Sequence, residues 1–181
     1  GNAGSPANGN RRGGGTIGNY NVGPNGLTSD IDGETKMYGA GGFGATGTLG
    51  YGNGGAGGSA YGSGAAGQAG AVIIAYEISN AFNAASGGTE TIVDDYNGTG
   101  EQWMVHTLTG NGTLDVSMAV QPFRVLAVGG GGGGCWGQGT HASHPGGGGK
   151  GQEWTPTLTR QGYPVVIGGG GGGGGGSGSG G

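Results

Sequence analysis

Two stretches of the sequence decide the fold. Phe123-Arg-Val-Leu-Ala-Val128 runs directly into six glycines at residues 129–134, and Tyr163-Pro-Val-Val-Ile167 runs directly into nine at residues 168–176. Each is an apolar, β-branched run followed by polyglycine without an intervening turn. The two glycine runs begin 39 residues apart, at residues 129 and 168. A repeated unit of this kind indicates repeated structure.

A polyglycine run has two physical interpretations. One is a flexible tether, because glycine-rich linkers behave as random coils. The other is an extended helix with three residues per turn, in which every N–H and C=O points outward and needs a partner in a neighbouring chain when buried. Because the runs follow strands directly and are repeated, the sequence predicts the ordered form, a polyglycine II helix bundle. The glycines expected to pack in it include Gly129, Gly131, Gly133, Gly168, Gly171 and Gly174.

The composition restricts the class of protein. Glycine makes up 57 of 181 residues, only 9% of residues are charged, and the formal net charge is −4. Ordinary globular domains have about 25% charged residues, so a conventional enzyme core over the whole chain is excluded. The acidic balance argues against nucleic-acid binding, and one cysteine excludes an intrachain disulfide. The apolar runs are too short for membrane insertion.

Short strands account for the remaining apolar residues. Five runs have strand character: residues 71–76, 89–93, 101–108, 123–128 and 163–167. Every second residue from Leu114 to Val120 is apolar, which is typical of a half-buried strand. Asn111-Gly112 predicts a hairpin before that strand, because both residues tolerate a positive φ. We therefore expect an all-β fold of short antiparallel strands that feed into extended glycine-rich layers, with many loops and no α-helix.

Residues typical of catalysis or metal binding are few. Cys135, His141 and His144 are the candidates for a metal site or a Cys–His pair, but a structural zinc ion normally takes four ligands. Asp30-Ile-Asp-Gly-Glu34 begins like a calcium loop but lacks its later glutamate. Glycine patterns that resemble nucleotide-binding loops are expected by chance at this glycine content. The sequence therefore predicts no catalytic residue, no metal and no cofactor.

Aromatic and histidine side chains on loops are the candidate contact residues. Trp136 and Trp154 flank a segment that contains His141 and His144, between the two polyglycine runs. Tyr38 ends a second candidate surface at residues 30–38. Tryptophan and tyrosine supply a large contact area at low entropic cost and dominate recognition hot spots. In the alternative interpretation, which the sequence leaves open, each ring only covers an end of the bundle.

Several of these stretches resemble the glycine-rich domains of bacteriophage tail proteins, both minor tail proteins and tail-fibre adhesins. The resemblance is carried by residues 125–134, 146–151 and 157–169, and residues 67–76 resemble the end of such a module. It implies a non-enzymatic virion component outside the cell that associates with other tail proteins. It also implies a homo-oligomer, expected to be a trimer, with loops displayed toward a bacterial surface receptor.

The order of these stretches predicts two tandem modules. Residues 1–77 would be the C-terminal part of a first glycine-rich module, truncated at its start, which ends in the strand 71–76. Residues 78–88 would be a linker, and residues 89–128 a small antiparallel β domain. Residues 129–181 would be the polyglycine-rich part of a second module, truncated at its end. A different class also fits: an extracellular glycine-rich spacer or ligand-binding domain of a cell-surface or cell-wall protein.

Overall fold

The fold is all-β in the part of the chain that the computed structural model describes. This part comprises residues 26–42, 48–59, 61–78, 84–118, 123–137 and 144–175. The strands are β1 Leu27–Ser29, β2 Lys36–Tyr38, β3 Ala71–Glu77, β4 Ala85–Ser86, β5 Thr89–Val93, β6 Trp103–Leu108, β7 Gly112–Val116, β8 Arg124–Val128, β9 Gly151–Trp154 and β10 Gly162–Val165. One 3₁₀ turn spans Tyr96–Gly98. Within these ranges there is no α-helix, and no helix is long or apolar enough to cross a membrane.

A five-stranded antiparallel sheet is the centre of the fold, with strand order β5-β6-β3-β8-β9. The most apolar strand, β3, is in the middle, where Ile74 is opposite His106 of β6 and Val125 of β8. Both faces of β3 are buried because apolar residues occupy consecutive positions along it. The predicted strand at residues 71–76 is therefore confirmed.

A three-stranded sheet, β10-β7-β4, covers one face of the larger sheet. In β7, Leu114 and Val116 are buried while Thr113 and Asp115 are exposed, so the predicted alternation is confirmed over the described residues. Met118, expected on the apolar face, is exposed beyond the end of the strand. The buried cluster between the two sheets comprises Ile74, Tyr76, Ile78, Ala84, Ala85, Met104, Leu108, Leu114, Val116, Phe123 and Val125.

The other face of the larger sheet is covered by the β1–β2 hairpin and the 3₁₀ turn. Ile31, Tyr38 and Tyr96 pack there against Ile73 of β3 and Leu126 of β8. The Tyr96 and Trp103 rings stack with their centroids 4.4 Å apart. The larger sheet is thus the middle layer of three, and its central strands are removed from water on both faces, while the edge strand β5 stays exposed.

The hairpin predicted at Asn111-Gly112 is wrong. The strands on either side of it belong to different sheets, because β6 pairs with β3 and β5, whereas β7 pairs with β10 and β4. Gly112 begins β7 with an ordinary negative φ. The Asn111 side chain instead accepts a hydrogen bond from the Ile167 amide at 2.8 Å, which ties the turn to the start of the second polyglycine run.

The predicted division into two modules does not describe this fold. Strand β3, assigned to the first module, pairs with β6 and β8 on the far side of the expected linker at residues 78–88. Residues 85–86 of that linker form strand β4. The antiparallel domain expected at residues 89–128 is divided between two sheets. Local composition misplaced the boundary because these pairings join residues far apart in sequence.

Candidate functional site

Glycine-rich chain continues from the sheet ends and forms a second region, here called the glycine-rich array. Its six segments are segment 1 (residues 39–42), segment 2 (51–59), segment 3 (62–70), segment 4 (129–137), segment 5 (144–150) and segment 6 (167–175). Direct backbone hydrogen bonds of 2.8–3.0 Å join neighbouring segments. The array thus satisfies main-chain groups through other segments, because its own residues form no local helix or sheet ladder.

Segment 4 is the hub of the array, and its hydrogen bonds recur every three residues. Amides that donate to segment 3 come from Gly131, Gly134 and Gly137, and those that donate to segment 5 come from Gly129, Gly132 and Cys135. Burial has the same period, since the first set is buried and the second is exposed. A three-residue period is that of an extended chain with three residues per turn.

The hydrogen-bond partners arrange the segments in two layers of three, in the order 1-2-3 and 5-4-6. Segment 4 accepts hydrogen bonds from Gly55 of segment 2 and from Gly171 of segment 6. Segment 2 also bonds to segments 1, 3 and 5, and segment 3 also bonds to segment 6. Neighbours run in either direction: segments 2 and 4 are parallel, and segments 3 and 4 are antiparallel.

Close approach between segments leaves no room for a side chain at the inward positions. A Cβ added to Gly133 would lie 1.9 Å from the carbonyl oxygen of Gly172, and one added to Gly131 would lie 2.2 Å from that of Asn53. Gly171 and Gly174, also predicted from sequence, would place it 2.8 and 2.7 Å from backbone nitrogens of segment 4. Gly129 and Gly168, also predicted from sequence, do have room for a side chain, because an added Cβ would lie 3.8 and 3.9 Å from its nearest neighbour.

The end of the array farthest from the sheets, here called the tip, carries exposed aromatic and polar residues. Segments 4 and 5 meet there through the Cys135 amide and the His144 carbonyl, at 3.0 Å. Segments 2 and 3 meet in a turn closed by the Gly62 amide on the Ser59 carbonyl. Trp136 is half-buried at this end and His144 is exposed. His141 lies outside the described residues.

Tyr61 is a tip residue that the sequence did not indicate. Its side chain is 74% exposed, and its φ of 54° is in the left-handed region, which bulky residues rarely adopt. Backbone strain of this kind is concentrated at functional sites. The only sequence signal is an aromatic residue between small residues, which also describes Tyr51.

Two of the predicted contact residues are elsewhere. Trp154 ends strand β9 opposite Val125, at the end of the sheet away from the array, so it shares no surface with Trp136. Tyr38 is fully buried, and its ring packs over Gly50. Burial raises the pKa of the Tyr38 hydroxyl, which lies 3.2 Å from Asp32. Tyr38 as a displayed contact residue is therefore wrong.

The carboxylates of residues 30–34 form ion pairs within the protein. Lys36 lies 2.7 Å from Asp32 and 3.1 Å from Glu34, while Asp30 lies 2.6 Å from Arg124. No group of three or more metal-ligating side chains occurs among the described residues. The loop is therefore held by its own cations, and a calcium ion would have to displace them.

Arg124 joins the hairpin to the larger sheet. Its guanidinium contacts Asp30, Glu153 and the Tyr96 hydroxyl at 2.6 Å each. Ser29 donates to the second oxygen of Glu153 at 2.7 Å. Burial disfavours the charged form, but hydrogen bonds to Asp30 and Glu153 outweigh it and raise the pKa of Arg124. The network holds the β1–β2 hairpin, which leads into segment 1, against β8, which leads into segment 4.

His106 is a buried titratable group on the opposite face of the sheet. Its Nδ1 lies 3.0 Å from the Gly87 carbonyl and its Nε2 lies 3.4 Å from the Tyr76 hydroxyl. Burial lowers the pKa of His106 below its usual value, although the Gly87 carbonyl and Glu90 oppose the shift. These contacts make it a structural histidine, distant from the tip.

Acid is therefore expected to destabilise the fold through His106. Below about pH 6.5 the unfolded chain takes up a proton there, whereas the folded chain takes it up only at lower pH, so the free energy of unfolding falls as pH falls. His106→Gln should show a weaker dependence between about pH 6.5 and 5. Urea midpoints across this range test it. Equal slopes for the two proteins would contradict the assignment.

No protein-family model matches the chain, and no curated protein or solved structure matches it.

Proposed function

We propose that the glycine-rich array is a polyglycine II bundle that serves as a rigid scaffold in a phage tail protein. The observation that carries the proposal is the three-residue period of backbone hydrogen bonds between segments. A tether needs no such bonds, whereas packed three-residue helices require them. The protein would be a minor tail, tail-tip or fibre component in the virion, with no catalytic role.

Attachment to the host is assigned to the tip. A rigid scaffold holds Tyr61, Trp136 and His144 at one end, away from both sheets. Aromatic side chains on restricted loops lose little entropy on binding, which favours their use in recognition. The partners we propose are a bacterial surface receptor at the tip and other tail proteins elsewhere on the molecule.

Adsorption to cells tests the attachment role. The labelled chain should bind at least one strain in a panel of bacteria, and Tyr61→Ala and Trp136→Ala should each weaken binding about tenfold, the effect expected of a hot-spot residue. Trp154→Ala is the matched control, because this exposed tryptophan is at the opposite end of the molecule. Equal losses in all three variants, or no binding to any strain, would contradict the proposal.

Antibody labelling tests the location. Antibodies against the chain should decorate the tail of phage particles from the lysate that contains it. Label on the bacterial cell wall and none on particles would contradict the tail assignment and favour the cell-surface spacer.

A further inference from the structure

The outer face of layer 5-4-6 differs from the rest of the surface of the array. Gly132, Gly147, Gly169, Gly172 and Gly175 are all exposed on it. A Cβ added at the last four would meet nothing within 4 Å, and at Gly132 the nearest atom is 3.5 Å away. Packing among the described residues of one chain therefore does not require glycine at these five positions.

Segment 3, in the other layer, shows the opposite pattern. Its exposed residues all carry side chains: Ser63, Ala65, Ala66, Gln68 and Ala69. Its glycines are all at least partly covered, and Gly64 and Gly67 point at the backbone of segment 4. In this segment, glycine is thus restricted to positions where another chain approaches closely. By the same rule, the bare outer face of layer 5-4-6 indicates a close neighbour that the described part of one chain does not supply.

Backbone groups of this face point to the same conclusion. Among the described residues, Gly130 and Gly133 of segment 4 have no hydrogen-bond partner, although the other two rows of that segment are paired. The α-carbons of this third row pack against Gly169 and Gly172 of segment 6. Segments 2, 3, 5 and 6 already pair with the amides and carbonyls of the other two rows, so the three-residue rotation leaves the amides and carbonyls of this row directed toward the outer face. Unpaired main-chain rows on an edge act as templates for another chain.

We propose that this face docks against the same face of a second copy of the protein. The inference rests on the bundle proposed above. A chain that pairs with this row must be extended and must carry glycine at every third position. The outer face of layer 5-4-6 has these properties itself, so a second copy of the same face can pair with it. Each residue of the row offers one donor and one acceptor, so two copies related by a two-fold axis satisfy each other reciprocally. Because each copy uses the same face, two copies complete the contact and leave no such face free for a third. The expected assembly is therefore a dimer, in place of the trimer expected from the resemblance.

Sedimentation equilibrium of the full chain tests the proposal. From about 1 to about 100 μM, the wild type should approach twice its 17.1 kDa monomer mass. Gly172→Glu adds a charge where the described part of one chain has space, so it should weaken association at least tenfold. It should not lower the urea midpoint measured at concentrations where both proteins are monomeric. Ala66→Glu is the charge-matched control on the other layer and should still dimerise.

Hydrogen exchange supplies a second measurement. The amides of Gly130 and Gly133 should exchange slowly in the wild type and rapidly in Gly172→Glu. A wild type that stays at monomer mass, a trimer, or equal weakening by Ala66→Glu would overturn the inference. Neither measurement depends on cell binding, so loss of attachment by Tyr61→Ala tests the proposed function separately.

Discussion

Gly133→Ala should unfold the glycine-rich array, and Gly172→Ala should leave it intact. The two residues face each other across segments 4 and 6, yet their surroundings differ. A methyl group on Gly133 would lie 1.9 Å from the Gly172 oxygen, whereas one on Gly172 would meet nothing within 4 Å. Because the obstacle is backbone, it cannot move aside without breaking neighbouring hydrogen bonds.

The expected changes differ in sign as well as size. Gly133→Ala overpacks the array and should lower the free energy of unfolding by about 3 kcal/mol. For the monomer, Gly172→Ala should raise it by about 0.4–1 kcal/mol, because alanine restricts the unfolded chain and the site within one chain accepts it. Urea midpoints would show the difference, and amide exchange at Gly131 and Gly134 would localise it. Equal midpoints for both variants would mean that the segments are not packed as described.

Arg124→Met should remove the link between the hairpin and the larger sheet. Methionine keeps much of the stem but leaves Asp30 and Glu153 without their cation, in a partly buried setting. Hydrogen bonds to charged groups contribute about 1.5–3 kcal/mol each in net terms. Since the side chain is partly exposed, we expect a total loss of about 2–3 kcal/mol in the free energy of unfolding.

Matched variants separate this network from a general charge effect. Arg160→Met removes the same charge from an exposed site and should change the urea midpoint little. The double variant Arg124→Met/Glu153→Leu should recover part of the loss, because it removes one uncompensated carboxylate. A loss in Arg160→Met as large as in Arg124→Met would show that net charge, and not the network, is responsible.

The sequence predicts the position of a strand where apolar residues form a continuous or alternating run. Ala71–Glu77 and Arg124–Val128 are predictable because apolar residues occupy nearly every position of each strand. Gly151–Trp154 was missed because it is an edge strand that contains glycine, glutamine and glutamate. Pairing was not predictable, since Asn111-Gly112 marks a turn but does not determine which sheet receives the next strand.

The tip was predicted only in part. Their chemistry predicts Trp136 and His144 as contact residues, and the structure places both at the end of the array. Trp154 is near them in sequence but distant in space, because β9 turns back along β8. The sequence predicts Tyr38 as a displayed aromatic residue, yet its ring fills the space over Gly50, which has no side chain. Local sequence does not reveal which aromatic residue a distant glycine accommodates.

An array held together by amide contacts also changes how stability varies with temperature. Unfolding the two sheets exposes apolar surface and raises the heat capacity, whereas exposing amides lowers it. The two regions of the molecule therefore contribute with opposite sign. Its heat-capacity increment per residue should fall below the usual value of about 12–15 cal/mol/K, so the stability curve is broad and cold weakens the fold only slightly.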